Sequence, residues 1–536
     1  MSSRPGRLRA AVVAAVVVVA ALAVWRTGAP KDHRSGTGDT STSTAAAGPA
    51  PGGGSGTIRL GVPEEPASLD PFDPKSRTAA GEAVLGEVLP QLFRVDPAGR
   101  EIGWLADDAS VQMAPDGRSA MFALHAGARW SDGAPITADD VRFTWETIRG
   151  AAWPGPRAGY DRLTAVDGQG GSITFRFDGP FPGWRRLFSG ADFVLPAHRL
   201  AGKNLKTEWN AGPDLAGGPF RLGAVTPGLS VRLDRNDAWW GPVAKAAALD
   251  VQVVPDVRTM EQLLGRGDLD VAWPPVTTNR IGRFRALPGV DVSVAEPGGT
   301  LEALVANTTT VPPDRRSTYL ALPNRDRFVD VLLTGEADRA VSLTPPVPAG
   351  GGASVPGTGG AAEAAWPVAS GQPAGSGRLN GTPSVTLVSA DEDQLSDLVG
   401  RVLQTSAKAA GGNVELKSDE SPTVDATWLP AGRFDLALVR TTAWPEPCWS
   451  CWFADGSTGR GNVTRTKALT ALAAAADTDP ATAPALEARV KADALLLPLW
   501  RPRAVLAGRG VTGLAANSWS IGPFWSAEAW APPGTR

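Results

Sequence analysis

Three histidines and two cysteines are the whole supply of the commonest catalytic and metal-binding side chains in this 536-residue chain: His33, His125, His198, Cys448 and Cys451. The sequence holds no His-Glu-x-x-His helix, no G-x-S-x-G elbow and no phosphate-cradling G-x-x-x-x-G-K-[ST] loop. Gly357-Thr358-Gly359-Gly360-Ala361-Ala362 has the form of a dinucleotide loop, but it lies in low-complexity sequence with no strand before it and reads as a linker. The carboxylate pairs Asp107-Asp108 and Asp139-Asp140 are sequence neighbours, so their side chains diverge on a helix or strand and suit solvation or capping. Cys448-Trp449-Ser450-Cys451 is open to three readings. A structural disulfide would close a very short loop, worth about 2 kcal/mol in the chain-entropy model. A redox pair would need a short βαβ unit opening on the motif, which the flanking sequence lacks. A zinc site would need more ligands than two cysteines without a neighbouring histidine. Nineteen tryptophans against two tyrosines supply broad flat surfaces that suit either a ligand cleft or a core. The residues therefore point to binding, with no catalytic residue, cofactor or metal ligand assigned.

The elements that would position such a cleft begin behind an export segment. Arg4, Arg7 and Arg9 precede an unbroken apolar run over residues 10–25, the charged and apolar regions of a signal. As a helix that run spans about 24 Å, short of a ~30 Å hydrocarbon core. Residues 1–26 are either a signal peptide, cleaved after a small-residue site at Ala21-Leu22-Ala23, or an uncleaved anchor with its arginines inside. No cysteine follows the run, so a lipid-modified terminus is not expected. Export favours the disulfide reading of the cysteine pair. Residues 27–56, rich in Gly, Ser, Thr, Ala and Pro, read as a disordered linker with a reach of roughly 30 Å. A net charge of −3 with no basic run beyond the N-terminus excludes nucleic acid as a partner. The length exceeds what one core sustains, about 250–300 residues, so two lobes are expected.

Strands are predicted at 58–62, 120–124, 230–233, 249–254, 270–273, 385–388, 414–416 and 434–439, the last nearly all apolar as a doubly buried strand should be. Val84, Leu85, Val88, Leu89 and Leu92 recur at helical spacing. Thr137 with Asp140 forms a weak capping box before a helix whose Val141, Trp145 and Ile148 share a face. A further helix is predicted near 259–264. Residues 394–409 make an amphipathic helix with Leu395, Leu398, Val399, Val402 and Leu403 on its apolar side. Residues 344–382, dense in Gly, Pro, Ala and Ser, read as a long disordered surface loop. The order of elements argues for mixed α/β sheets covered by helices.

Several stretches, in order, resemble the family 5 extracellular solute-binding proteins, the peptide- and nickel-type receptors of ATP-binding-cassette importers. Pro66-Ala67-Ser68-Leu69-Asp70-Pro71 matches their opening loop. Leu124-His125-Ala126-Gly127-Ala128-Arg129-Trp130-Ser131-Asp132-Gly133-Ala134-Pro135-Ile136-Thr137-Ala138-Asp139-Asp140-Val141 follows their most recognisable signature. Gly217-Gly218-Pro219-Phe220-Arg221-Leu222, Arg235-Asn236-Asp237-Ala238-Trp239-Trp240-Gly241 and Gly267-Asp268-Leu269-Asp270-Val271 are similar to later markers of the first lobe. Asn307, Pro312-Pro313-Asp314-Arg315-Arg316, Asn324-Arg325-Asp326-Arg327, Phe434-Asp435-Leu436-Ala437-Leu438 and Leu497-Pro498-Leu499-Trp500 look like the second lobe.

The resemblance implies a two-lobed periplasmic-binding-protein-like fold of the large type II class. Residues 57–274 would form lobe I with an extra subdomain at about 84–210, residues 275–499 lobe II, and residues 500–536 a return to lobe I. Chain crossings are expected near residues 273–275 and 498–501. In peptide-binding members an acidic residue after the 434–439-type strand captures the ligand's amino group; aligning Glu446-Pro447 with the family's Asp-Pro puts Ala443 there, without a carboxylate. The candidate ligand-binding residues are Trp273, Asn307, Arg440, Thr441, Thr442, Trp444 and Glu446. Arg440 would meet a ligand carboxylate or pair with a nearby acid, and Trp444 would stack on a ligand face or pack in its lobe. Trp273 would line the cleft or pack at the hinge, and Asn307 suits backbone hydrogen bonding. The implied function is capture of an oligopeptide or similar polar solute by an exported monomer, held at the outer face of the membrane or released as a secreted or periplasmic protein, with delivery to permease subunits whose ATPase chains are separate. The alternative is a surface-tethered sensor or scaffold without transport.

Overall fold

The computed structural model describes residues 56–534, apart from 151–152, 155–156, 158, 347–365, 367–378, 380, 382–383, 391–393, 420–422, 430, 443–448 and 454–466. The export segment and nearly all of the linker thus lie outside the described residues. Among the described residues no helix is long and apolar enough to cross a membrane.

The strand Thr57–Val62 buries Ile58, Leu60 and Val62 and has parallel neighbours on both sides, Ala248–Val253 and Val271–Ala272. It lies inside a seven-stranded mixed sheet whose spatial order is Val290–Ala295, Ala504–Arg509, Val271–Ala272, Thr57–Val62, Ala248–Val253, Ser230–Arg235, Phe220–Thr226. A second mixed sheet runs Ala337–Arg339, Leu496–Pro502, Thr300–Ala306, Leu436–Thr442, Val385–Ala390, Val414–Asp419. The extra subdomain is a four-stranded antiparallel sheet, Gln112–Met113, Ser119–Ala123, Ser172–Phe177, Leu163–Gln169. Each large sheet has its own core. One cluster gathers residues between Ile58 and Ala295 together with the C-terminal Leu506–Trp530 residues, and another gathers residues between Leu301 and Trp500. These are the two lobes.

Local chemistry explains the marker motifs. The helix Ala138–Arg149 opens on a capping box, in which the Thr137 hydroxyl accepts the Asp139 backbone N–H at 3.3 Å and the Asp140 carboxylate accepts the Thr137 backbone N–H at 2.8 Å. Asp140 also accepts the Ala197 backbone N–H at 2.8 Å, so one buried carboxylate ties the start of its own helix to the segment at Ala197. Gly218 is demanded by close approach: a Cβ there would stand 2.3 Å from the Glu87 carbonyl oxygen. Asn236 donates to the Gly218 carbonyl at 2.8 Å and holds that approach. In the helix Gln394–Ala409, Leu395, Val399, Leu403 and Ala407 are buried at a four-residue repeat. Leu398, expected on the apolar side, is 37% exposed, because it falls at the rim of that stripe.

The lobe boundaries differ from the sequence expectation. The strand Val290–Ala295 pairs with Ala504–Arg509 in the first sheet, so the chain leaves lobe I at residues 296–299 rather than near 273–275. The return is made by Arg503 alone, between Leu496–Pro502 of one sheet and Ala504–Arg509 of the other. The low-complexity stretch lies mostly outside the described residues, yet two of its side chains are core residues of lobe II. Trp366 is buried, donates to the Val341 carbonyl at 2.9 Å and sits under the Lys491 ammonium; Leu379 is also buried.

Glu87 is a buried carboxylate 3.5 Å from the Arg94 guanidinium, which stacks on Trp104. Burial outweighs that pairing and pushes the Glu87 carboxyl up from 4.5 to about 8. Between those values the folded chain keeps a proton that the unfolded chain releases, so stability falls as pH rises through that window. Thermal unfolding followed from pH 5 to 9 is expected to show this decline, and Glu87→Gln to flatten it.

Candidate functional site

Two lobes with separate cores make the crossings the place where their movement is governed. Arg280, on the helix Arg280–Arg285, is buried and donates through Nε to Glu336 at 2.8 Å; the other Glu336 oxygen accepts the Ile281 backbone N–H at 2.8 Å. Arg280 also donates to the Pro274 carbonyl at 3.0 Å and to the carbonyl of Arg503, the single return residue. Glu336 in turn accepts the Arg503 backbone N–H through its carbonyl at 2.8 Å. One ion pair therefore holds Pro274 and Ile281 of lobe I, the start of Ala337–Arg339 in lobe II and the return crossing. Burial depresses the Arg280 guanidinium, with the Glu336 charge opposing and the Arg440 charge adding to the depression. Arg501 secures the outgoing crossing: it donates to the carbonyls of Gly298 at 3.1 Å, Ser342 at 3.2 Å and Leu343 at 2.8 Å. Burial lowers its pKa to about 10.

Four of the sequence candidates, Trp273, Arg440, Thr441 and Thr442, stand on or directly after the strands that lead to this hinge. Trp273 follows the strand Val271–Ala272, donates its backbone N–H to Gly61 at 2.9 Å and is half-buried on the core of lobe I. It precedes Pro274, whose carbonyl Arg280 holds. Arg440 lies on Leu436–Thr442 of lobe II, opposite Glu302 in the register, and its Nε donates to the buried Glu302 carboxylate. The Arg440 side chain remains 46% exposed, and its charge reaches Arg280. Thr441 is half-buried and pairs with Leu301; Thr442 continues the strand opposite Thr300, its side chain outside the described residues. Trp444 and Glu446, with Ala443, lie outside the described residues, as does Cys448; Cys451 is placed only by its backbone in the helix Trp449–Phe453.

Asn307 does not join this group. It lies five residues beyond Glu302 along the strand direction, roughly 16 Å away. Its amide is buried and committed to the fold, donating to the carbonyls of Gly432 at 3.2 Å and Phe434 at 2.8 Å and accepting from Thr309. His125 stacks on Trp240 and His198 contacts Asp132 at 2.8 Å, both in lobe I. Among the described residues no three His, Cys, Asp or Glu side chains are grouped for a metal.

Sequence reading missed Arg280, Glu336, Arg501 and Arg503. Arg280 is one arginine among Arg280, Arg283 and Arg285, and nothing in its spacing marks it as the buried one. The available signal was weak: Asn279 before it takes a left-handed backbone, φ 54°, which Asn tolerates best among non-glycine residues.

Residues 102–462 match the sequence profile of the bacterial extracellular solute-binding proteins, family 5 middle. The oligopeptide-binding protein OppA of Bacillus subtilis is 24% identical over 316 residues, 54% of this chain and 56% of that protein. The chain thus spans about half, or less, of the length of the curated relatives it matches. Among solved structures, the oligopeptide-binding protein AppA of Bacillus subtilis in complex with a nonapeptide superposes with a TM-score of 0.74 at 17% identity, over 89% of this chain and 98% of that one. The binding protein AgaA of A. tumefaciens R10 in complex with agropinic acid gives 0.74 at 17% identity, over 90% and 99%. At these identities the likeness shows the fold, a two-lobed periplasmic-binding-protein architecture.

Removing one member of a desolvated ion pair strands the other's charge, a cost of about 3–5 kcal/mol. Glu336→Gln is accordingly expected to lower the unfolding free energy by that order in urea titration, while Glu415→Gln, at an exposed pair with Lys417, changes it by less than about 1 kcal/mol.

Proposed function

The chain belongs to the bacterial extracellular solute-binding proteins of family 5, and we propose that it captures an oligopeptide or similar polar solute between its lobes and delivers it to an importer's permease. The observation that carries this reading is the pair of separately cored lobes between which the chain passes at residues 296–299 and at Arg503, with the Arg280–Glu336 pair at the joint. Such a body has one soft motion, opening and closing about the joint. A solute that touches both lobes favours the closed state by its differential binding energy, and one that touches a single lobe shifts nothing. No bond need be made or broken. Binding rather than catalysis fits the side chains that stand at the hinge.

Trp273 supplies a flat apolar wall from lobe I. Arg440 supplies from lobe II a partly exposed guanidinium able to receive a solute carboxylate, its resting charge offset by Glu302. Thr441 and Thr442 extend the candidate rim from the same lobe, and Trp444 and Glu446 remain candidates from the sequence alone. In this reading the protein acts as a monomer outside the cytoplasm, tethered by or released from its N-terminal apolar segment, and the energy of transport comes from separate ATPase chains. The pair Cys448 and Cys451 is proposed to be oxidised there.

Native mass spectrometry of the exported full chain is expected to find a retained small molecule, and calorimetry with a panel of di- to nonapeptides to give heat for at least one. Arg440→Ala should then weaken that binding by about tenfold or more, the usual loss for a hydrogen bond to a charged group. No retained mass together with no heat across the panel overturns solute capture; binding that proves independent of any permease would mark a sensor.

A further inference from the structure

The lobes also meet at a second place, far along the chain from the hinge. Arg162 and Arg186 belong to the subdomain of lobe I: the segment Pro182–Arg186 carries Trp184, and Phe181, Trp184 and Tyr160 are all members of the first core. Asp477 and Thr478 end the helix Lys467–Thr478, whose Leu469, Ala473 and Ala476 are members of the second core. Between them, Arg162 Nη1 donates to the Thr478 hydroxyl at 3.1 Å, and Arg186 Nη2 stands 3.9 Å from the Asp477 carboxylate. Both members of the second pair are desolvated, with side chains 8% and 2% exposed. The Phe181 ring lies under both guanidiniums, 4.7 Å from Arg162 and 5.0 Å from Arg186. Arg162 is further braced by Asp178 at 3.1 Å and by the Pro180 carbonyl at 3.0 Å. On the other side, Asp477 accepts the backbone N–H groups of Trp449 at 2.7 Å and Ser450 at 3.1 Å. Its carboxylate is thereby fixed to the helix Trp449–Phe453, the segment that follows the candidate ligand loop.

We propose that Arg186 and Arg162, with Asp477 and Thr478, form a latch that sets the balance between open and closed lobes and so tunes solute affinity without touching solute. A charge pair is worth most where water is excluded, and its attraction falls steeply once the partners separate into solvent. Each latch group is braced within its own lobe: Phe181, Asp178 and Pro180 hold the guanidiniums, and the Trp449 and Ser450 amides hold the carboxylate. The latch faces are therefore preorganised in both states, and contact between them favours closure alone. Arg162 and Arg186 are positioning residues, acting on the bound solute through the hinge. The meaning of the latch rests on the receptor reading, but its test needs no solute, so the two stand or fall separately.

Double electron–electron resonance on the full chain in detergent micelles would read the lobe separation directly. Spin-labelled noncanonical residues are placed at Asp116 of lobe I and Lys408 of lobe II, both exposed. The unsubstituted latch is expected to give a dominant short-distance population. In Arg162→Gln/Arg186→Gln the open-to-closed ratio should rise on the order of tenfold or more, since the buried Asp477 charge loses its cross-lobe partner. Arg186→Lys keeps the charge and should retain most of the closed population. Circular dichroism melting serves to verify that the core of each lobe persists. An unchanged distance distribution in the double variant overturns the latch, and so does equal opening in Arg186→Lys. Should the double variant fail to fold, the single Arg162→Gln change, at a neutral cross-lobe contact, is expected to give a smaller shift in the same direction, and no shift overturns the proposal.

Discussion

A guanidinium and a carboxylate, both out of water, hold the two halves of this protein at one point. Arg280 and Glu336 could not be there singly, because an isolated charge in that setting would be driven out or neutralised. Together they recruit the carbonyls of Pro274 and Arg503 and the amide of Ile281, so the pair is satisfied on nearly every side. The lobe boundary follows from this. Each lobe can keep a private hydrophobic core because the covalent link between them is reduced to a few residues, whose carbonyls at Glu296, Gly298 and Arg503 are held by Ser518, Arg501 and Arg280.

Much of the architecture was legible in the sequence because it rests on short-range rules. The capping box at Thr137 and Asp140, the four-residue repeat from Leu395 to Ala407, and the apolar run around Leu436 each report a local environment directly. The marker motifs were legible for a related reason: Gly218 and Asn236 are fixed by contacts that few other residues can make. The position of the first crossing was not. Nothing in the composition of Val290–Ala295 says that its partner is the strand Ala504–Arg509, more than two hundred residues away. Long-range pairing of this kind is decided by the completed sheet.

The site was legible in proportion to how far each residue's role is local. Arg440 was identified by its place at the end of an apolar strand, and of the two readings offered for it the structure shows the pairing with a nearby acid, Glu302, while its side chain stays partly exposed. Asn307 carried the marks of a structural amide and has become one. Arg280, Arg186 and Asp477 escaped notice because an arginine or aspartate looks the same in sequence whether solvated or buried; only the fold decides which charges lose their water. The low-complexity stretch misled in the opposite sense. Its composition argues against any core, but a single indole at Trp366 and a single Leu379 suffice to seat it at two points in lobe II.

The placement of Ala504–Arg509 also bears on how the molecule is made. A ribosome or an export channel delivers the chain from its beginning, and most multidomain proteins build their first domain first. Here the residues of lobe II form one unbroken stretch, while the sheet of lobe I has a gap between Val290–Ala295 and Val271–Ala272 until its last strand arrives. The half encoded first is therefore the half finished last, and during synthesis it must wait, its strand edges unpaired, for the whole of its partner to emerge.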